Sequence, residues 1–180
     1  MTTRRWTFAL LSTAILLAGC TAADAQRNSP TGGDGASAHG APQRAAMVCG
    51  PEIAGELTQI LRLDDSPHVV SAWADPVYTC TYHLPYGPLV LSVTVSDSDA
   101  AADAFFADQQ RGQPGAEPIV GLGEQAYRTP DGLVTVVKDD MTLTVDATDL
   151  PAVLGDNRQR RSALAFEVGA TVLGCWTEHD

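Results

Sequence analysis

Residues 78–95, YTCTYHLPYGPLVLSVTV, consist of two alternating runs separated by a short turn. In 78–84, aromatic and apolar side chains alternate with threonine and histidine, and in 89–95 every second residue is leucine or valine. Successive side chains of a strand point to opposite sides of a sheet, so each run predicts a strand with one buried face. The intervening PYGP, 85–88, supplies turn-forming proline and glycine. The stretch therefore predicts an antiparallel hairpin.

Helical patterns lie on both sides of this hairpin. Before it, Ile53, Leu57 and Ile60 recur at helical spacing after Pro51, which suits a first helical turn. After it, residues 96–99 offer N-cap candidates for a helix that should stop at Gly112. The first half of the domain is therefore expected to be a helix followed by strands, with a second helix after them.

The second half repeats this order. EQAYRT at 124–129, LVTVVK at 133–138 and MTLTVDA at 141–147 predict three short strands, and 157–176 predicts a long final helix. We therefore expect an α+β domain, in which an antiparallel sheet carries helices on one face as a two-layer sandwich. The domain should contain two similar helix-plus-strands halves.

The other face of the predicted sheet is small, polar and rich in threonine. Its members are Thr79, Thr81, His83, Ser92, Thr94, Thr142, Thr144 and Asp146. Two interpretations are open: a solvated sheet surface, or a surface for a homodimer or another partner.

Upstream of the domain, the sequence predicts export and lipidation. Arg4 and Arg5 precede a run without charge at 7–18, which is too short for a transmembrane helix of about 20 residues and fits a secretory signal. The run ends in LAGC at 17–20, which matches a bacterial lipobox. Residues 1–19 are then a signal peptide, and Cys20 carries the lipid that anchors the protein to the extracytoplasmic face of a cell membrane.

Residues 20–46 are predicted to be the lipidated cysteine followed by a disordered linker. Gly, Ala, Ser, Pro and Asp dominate, and there is too little apolar surface to stabilise a fold. Residues 47–180 then form one domain. The chain has a formal net charge of −11, which argues against binding nucleic acid because such proteins need a positive surface.

Lipidation of Cys20 leaves three thiols for disulfide formation. Pairing Cys49 with Cys80 closes a loop of about 30 residues and stabilises the fold by roughly 3–4 kcal/mol. This pairing is favoured and would leave Cys175 as a buried thiol, while Cys80–Cys175 is the alternative.

No catalytic, cofactor or metal motif is present. The histidines lie far apart in sequence, at 39, 68, 83 and 179, so we expect no metal site. His83 with Asp146 is the one pair that could be nominated for catalysis, because both belong to the polar sheet face. Trp73 and Tyr86 lie next to or near prolines and, with His83, are candidates to line a surface groove; membership of the core is the alternative for the two aromatic residues.

Several motifs together resemble those of uncharacterised lipoproteins of actinobacteria. They are the lipobox, VCGPEIAGEL at 48–57, CTY at 80–82 and GLGEQAY at 121–127 leading into a hairpin. The resemblance covers about residues 47–176 and implies that Cys49 and Cys80 are the family's cysteine pair. It also implies an exported, membrane-anchored domain, and it implies no reaction.

The expected function is a non-enzymatic binding or interaction module at the cell envelope. Its partner would be an envelope protein, a small apolar ligand or a second copy of the chain. The alternatives are an envelope enzyme such as a hydrolase, and an accessory or inhibitor subunit of another exported protein.

Overall fold

The computed structural model describes residues 41–178. The predicted signal peptide, Cys20 and most of the predicted linker lie outside these residues. The described chain begins with helix α1 (Gln43–Ala46), a 3-10 turn (Met47–Cys49) and helix α2 (Pro51–Leu61). Residues 43–46, which we assigned to the linker, therefore belong to the folded domain. The physical reason is Ala45, whose side chain is fully buried in the main core.

Seven strands form one antiparallel sheet in the order β1-β2-β3-β7-β6-β5-β4. The strands are β1 (His68–Ala74), β2 (Val77–Leu84), β3 (Gly87–Val95), β4 (Glu117–Pro118), β5 (Gln125–Arg128), β6 (Leu133–Lys138) and β7 (Met141–Asp146). A separate two-stranded hairpin joins β8 (Val153–Leu154) to β9 (Gln159–Arg160). The two remaining helices are α3 (Asp99–Gly112) and α4 (Arg161–Glu178). The predicted α+β class is confirmed.

The predicted hairpin is present as β2 and β3. Its register runs without a break from Val77 opposite Thr94 to Leu84 opposite Gly87. Gly87 has a φ of +134°, and a side chain there would place its Cβ 3.2 Å from the carbonyl oxygen of Asp149. Glycine is therefore required at this turn, both for its backbone conformation and for the close approach of the neighbouring chain.

The helices lie on both faces of the sheet. Helices α2 and α4 cover one face, where the main core forms, as predicted. Helix α3 packs on the opposite face over β5–β7, and there Phe106 contacts Tyr127 and Val137 in a second, smaller core. Strand β6 explains this difference from the predicted two-layer sandwich, because its neighbours Val136 and Val137 point to opposite faces and both are buried.

The final helix begins later than predicted. Residues 159–160 form β9 instead of helix, and Arg158 has a φ of +57°, a conformation that ends regular structure. Helix α4 starts at Arg161, whose guanidinium donates hydrogen bonds to the carbonyl oxygens of Thr148 and Leu150 at 3.0 and 2.7 Å. These bonds join the start of α4 to the loop after β7.

The segment before α2 is joined to the sheet by a disulfide and to helix α4 by a hydrogen bond. Cys49 is bonded to Cys80 of β2, with a Cα–Cα separation of 5.5 Å. The predicted pairing is therefore confirmed, and the alternative Cys80–Cys175 bond is not formed; Cys175 lies buried in α4. The indole nitrogen of Trp176 also donates to the carbonyl of Arg44 at 2.9 Å.

Candidate interaction surface

Strand β1 forms one outer edge of the seven-stranded sheet. Its sequence, HVVSAWA, contains no Lys, Arg, Asp, Glu, Pro or Gly. It pairs with β2 over all seven of its residues, from His68 opposite His83 to Ala74 opposite Val77, and the register shows no bulge. Within residues 41–178 no other strand pairs with it. Natural proteins commonly protect such edges with charge, proline or a bulge, and β1 has none of these.

The other edge of the sheet is protected. Strand β4 has only two residues, and one of them is Pro118, which has no backbone N–H to donate. Its other residue, Glu117, forms an exposed ion pair of 3.4 Å with Arg128 on β5. The two edges therefore differ: β4 is short and blocked, whereas β1 is long and open to a further strand.

No helix within residues 41–178 covers the sheet face next to the β1 edge. We call this region the open face, and define it as the residues of β1–β3 on the side opposite the main core. Its members include Val70, Ala72, Thr79, Thr81, Val90 and Ser92. Val70 has 45% of its surface exposed. These six side chains are small and carry no charge, and the same face also includes His68 and His83 at one end.

The predicted polar sheet face is divided by α3. Its members on β7 lie in the half that α3 covers, where Thr142 is buried and Thr144 is half-buried. Gln125 of β5 donates a hydrogen bond of 2.6 Å to Asp103 of α3, which places the helix over this half. The members on β2 and β3 remain on the open face, so only this part of the polar face is available to a partner.

Acidic residues lie at both ends of β1. Asp64 and Asp65 precede the strand, Asp75 follows it, and all three are exposed. The β1 edge, which has no acidic residue of its own, therefore lies between two negative ends. A segment with basic residues at its own ends would complement this charge pattern.

A cleft with a volume of about 590 Å³ opens at the His68 end of β1. It lies between the loop that follows α2 and the turn that joins β2 to β3. Its lining includes Asp64, Asp65, His68, His83 and Tyr86. We call it the histidine cleft, because the rings of His68 and His83 face each other across the two strands with centroids 5.3 Å apart.

The three predicted groove residues do not all meet. His83 and Tyr86 line the histidine cleft. Trp73 lies near the opposite end of β1 and packs, partly buried, against the main core. Trp73 is therefore a residue of the core boundary, which was the alternative to a place in the groove.

The nominated catalytic pair is not brought together. Strand β3 lies between His83 and Asp146, with His83 opposite Pro88 and Asp146 opposite Val90. Two strand spacings separate such residues by about 10 Å, before the two-residue offset along the strands is added. The carboxylate of Asp146 instead accepts hydrogen bonds from the backbone N–H and hydroxyl of Thr148 at 2.9 and 2.6 Å. It therefore shapes the loop after β7.

Three residues between 41 and 178 have pKa values shifted by burial or by hydrogen bonds. Burial raises the pKa of Tyr82 well above its ordinary value, with smaller contributions from Tyr78 and Glu52. Burial likewise raises the pKa of Tyr127. Hydrogen bonds from Lys138 and Arg44 lower the pKa of Asp139. Tyr82, Tyr127 and Asp139 all lie outside the lining of the histidine cleft.

Two negative findings apply to residues 41–178. No helix in this range is long and apolar enough to cross a membrane. Nor does the same range contain a group of three or more His, Cys, Asp or Glu side chains that could hold one metal ion.

Sequence reasoning missed His68 and Val70 as surface residues, because β1 was not recognised. The pairing could have been inferred from the strand register: once a strand is placed before the hairpin, His68 falls opposite His83.

The chain matches no protein-family model, no curated protein and no solved structure.

Proposed function

We propose that this chain is a non-enzymatic binding module of the cell envelope, and that it recognises an extended segment of another envelope protein through the outer edge of β1. The observation that carries the proposal is the contrast between the two sheet edges. One is open over seven residues that include no Lys, Arg, Asp or Glu, and the other is blocked by Pro118. An open, regular edge is the surface used when a partner adds a strand to a sheet.

In this mode, backbone hydrogen bonds supply the affinity, and each contributes about 0.5–1.5 kcal/mol net. Side chains supply the specificity, because alternate residues of the added strand lie beside the open face. The acidic ends at Asp65 and Asp75 favour a partner with lysine or arginine at both ends. The expected segment is therefore a run of β-branched residues, no longer than the seven-residue strand β1 that it pairs with, between basic residues.

A second copy of the chain fits this edge less well. If two β1 strands pair antiparallel about Ser71, Asp75 of one copy lies beside residue 67 of the other, close to Asp65. Like charges then meet at both ends of the added strand, and such contacts are unfavourable. The charge pattern thus favours a different, basic partner over a homodimer.

The place of action that we propose is the extracytoplasmic face of a cell membrane, with the lipid on Cys20. The support is the charge-free run at 7–18 that ends in LAGC, together with the resemblance to actinobacterial lipoproteins. The Cys49–Cys80 disulfide is compatible with this, since disulfides persist in oxidising compartments outside the cytoplasm. Cys20→Ala should abolish lipid labelling and release the chain from the membrane fraction; retention of this variant in the membrane would contradict the anchor.

Recognition at β1 is tested by selecting binders from a random library of linear 12-residue peptides against the full chain in detergent. We expect selected peptides to contain an alternating β-branched stretch with basic ends. Val70→Lys should abolish their binding, because it places a positive charge on the edge strand. Val70→Thr, which keeps the branched side chain, should retain it.

The matched control is Val120→Lys, which adds the same charge at a residue with 98% of its surface exposed, far from β1. It should leave binding unchanged. Selected peptides that bind Val70→Lys as well as the unmodified chain would overturn the proposal, and so would a selection that yields no peptide. Light scattering that shows a homodimer abolished by Val70→Lys would replace the basic partner with a second copy.

A further inference from the structure

We propose that His68 and His83 form a two-imidazole site for a divalent transition-metal ion at the mouth of the histidine cleft. The two residues are direct cross-strand partners on β1 and β2. Their ring centroids are 5.3 Å apart and the rings are tilted by 32°. Opposite residues of an antiparallel pair have Cβ atoms about 4.5–5.5 Å apart, so both imidazoles can reach an ion that binds each nitrogen at about 2.0–2.1 Å.

Both side chains are accessible. His68 and His83 are exposed, and their rings line an open cleft. Neither ring takes part in a hydrogen bond with another residue of the described chain, 41–178. An entering ion therefore breaks no hydrogen bond among residues 41–178, and the pairing of the two strands holds the rings side by side before it arrives.

The charges around the pair favour a cation. Asp64 and Asp65 line the same cleft, and Arg62 is its one basic lining residue. The two carboxylates therefore outnumber the guanidinium. Carboxylates in such a cleft can accept hydrogen bonds from water molecules bound to the ion.

The ligand chemistry selects the class of metal. Imidazole nitrogen suits copper, nickel and zinc, whereas calcium and magnesium prefer oxygen ligands. The affinity of a given site generally rises from nickel to copper and falls again at zinc. Since no third ligating side chain is placed on the ion between residues 41 and 178, water fills the remaining positions. The site should therefore exchange its ion readily and keep positions open to a further ligand.

This site does not depend on the β1 edge being a docking surface, because it uses side chains at one end of the strand and not its backbone. The test is titration of the full, untagged chain in detergent with Cu²⁺, followed by calorimetry and by electron paramagnetic resonance. We expect a bound Cu²⁺ whose spectrum shows hyperfine splitting from imidazole nitrogen. Ca²⁺ and Mg²⁺ should give no binding heat at this site.

The variants His68→Gln and His83→Gln should each weaken Cu²⁺ binding by more than about tenfold. Loss of a residue that only hydrogen-bonds to a metal ligand already costs about tenfold or more, and loss of a ligand itself should cost at least as much. The matched controls are His39→Gln and His179→Gln, which remove the other two histidines of the sequence. These controls should leave Cu²⁺ binding unchanged. Circular dichroism and thermal unfolding establish that all four variants remain folded. The proposal is overturned if Cu²⁺ binding survives in the His68→Gln/His83→Gln double variant, or if it is lost with His39 or His179 instead.

Discussion

The hydroxyl of Tyr82 on β2 donates a hydrogen bond of 2.7 Å to the backbone carbonyl of Val48, and both groups are buried. This bond lies two residues from Cys80, which is covalently bonded to Cys49. The chain before α2 is therefore held on the sheet next to the edge strand β1. The stability of the proposed binding surface depends on this attachment as well as on the strand pairing itself.

Tyr82→Phe should destabilise the domain by about 1–2 kcal/mol, because it leaves the buried carbonyl of Val48 without its donor. Burial raises the pKa of the Tyr82 hydroxyl, so the group remains a donor into the alkaline range. Urea unfolding measures the effect. Tyr86→Phe is the control: its hydroxyl donates to no residue between 41 and 178, and we expect a change below about 0.5 kcal/mol. Equal effects of the two substitutions would count against the buried bond.

Removal of the disulfide should have a larger effect. The Cys49→Ala/Cys80→Ala variant opens a loop with a sequence separation of 31 residues, which costs about 3–4 kcal/mol in the chain-entropy model. Unfolding is measured with and without dithiothreitol. The reductant should destabilise the unmodified chain and leave the variant unaffected. A loss of stability on reduction that persists in the variant would show that another bond is responsible.

The position of α3 gives a third prediction. Phe106 is 3% exposed and its ring centroid lies 5.2 Å from that of Tyr127. Phe106→Ala should cost about 3–4 kcal/mol through lost burial and the cavity left behind. The adjacent Phe105 is only half-buried, so Phe105→Ala should cost less than half as much. If the order of the two effects in thermal or urea unfolding is reversed, α3 packs through a different face from the one described.

Asp139 gives a prediction about pH. Hydrogen bonds from Lys138 and Arg44 lower the pKa of its carboxyl below the ordinary value of 3.8. The resulting stabilisation is therefore fully present above that ordinary value, and is lost as the pH falls through the lower pKa of the folded state. The carboxylate is 36% exposed, so solvent screening limits its contribution to less than about 1 kcal/mol.

Asp139→Asn is the informative variant, because asparagine also tolerates the φ of +54° at this turn. It should slightly lower the free energy of unfolding at pH 7. It should also reduce the loss of stability that the domain shows as the pH falls from about 5 through the folded-state pKa of Asp139. Urea unfolding as a function of pH measures both effects. Parallel pH profiles for the variant and the unmodified chain would show that this carboxylate makes no contribution.

The parts of the fold that follow from local periodicity were predictable. The hairpin of β2 and β3 was recognisable because its side chains alternate strictly, and Ser98 caps α3 as its position suggested. Strand β1 was not recognised, because HVVSAWA places valine, alanine and tryptophan without a clear polar face. Its inward residues, Val69 and Trp73, meet the core, while Val70 lies on the open face.

The sheet face on which α3 packs depends on long-range contacts, and only the sequence of β6 indicated it. A strand buried on both faces reads as a nearly continuous apolar run, and LVTVVK is such a run. The candidate surface was equally a product of topology. His83 and Tyr86 could be nominated from their place in the hairpin, but His68 meets His83 only through the β1–β2 register. The unprotected edge itself follows from the order of the strands, which local sequence does not encode.

Amide hydrogen exchange along β1 tests the central proposal most directly. The full chain is compared with and without a peptide from the selection against it. We expect the bound peptide to slow exchange within residues 68–74, because outward N–H groups of the edge gain partners, and to leave residues 117–128 around β4 unchanged. Slowed exchange elsewhere with β1 unaffected would contradict recognition at this edge.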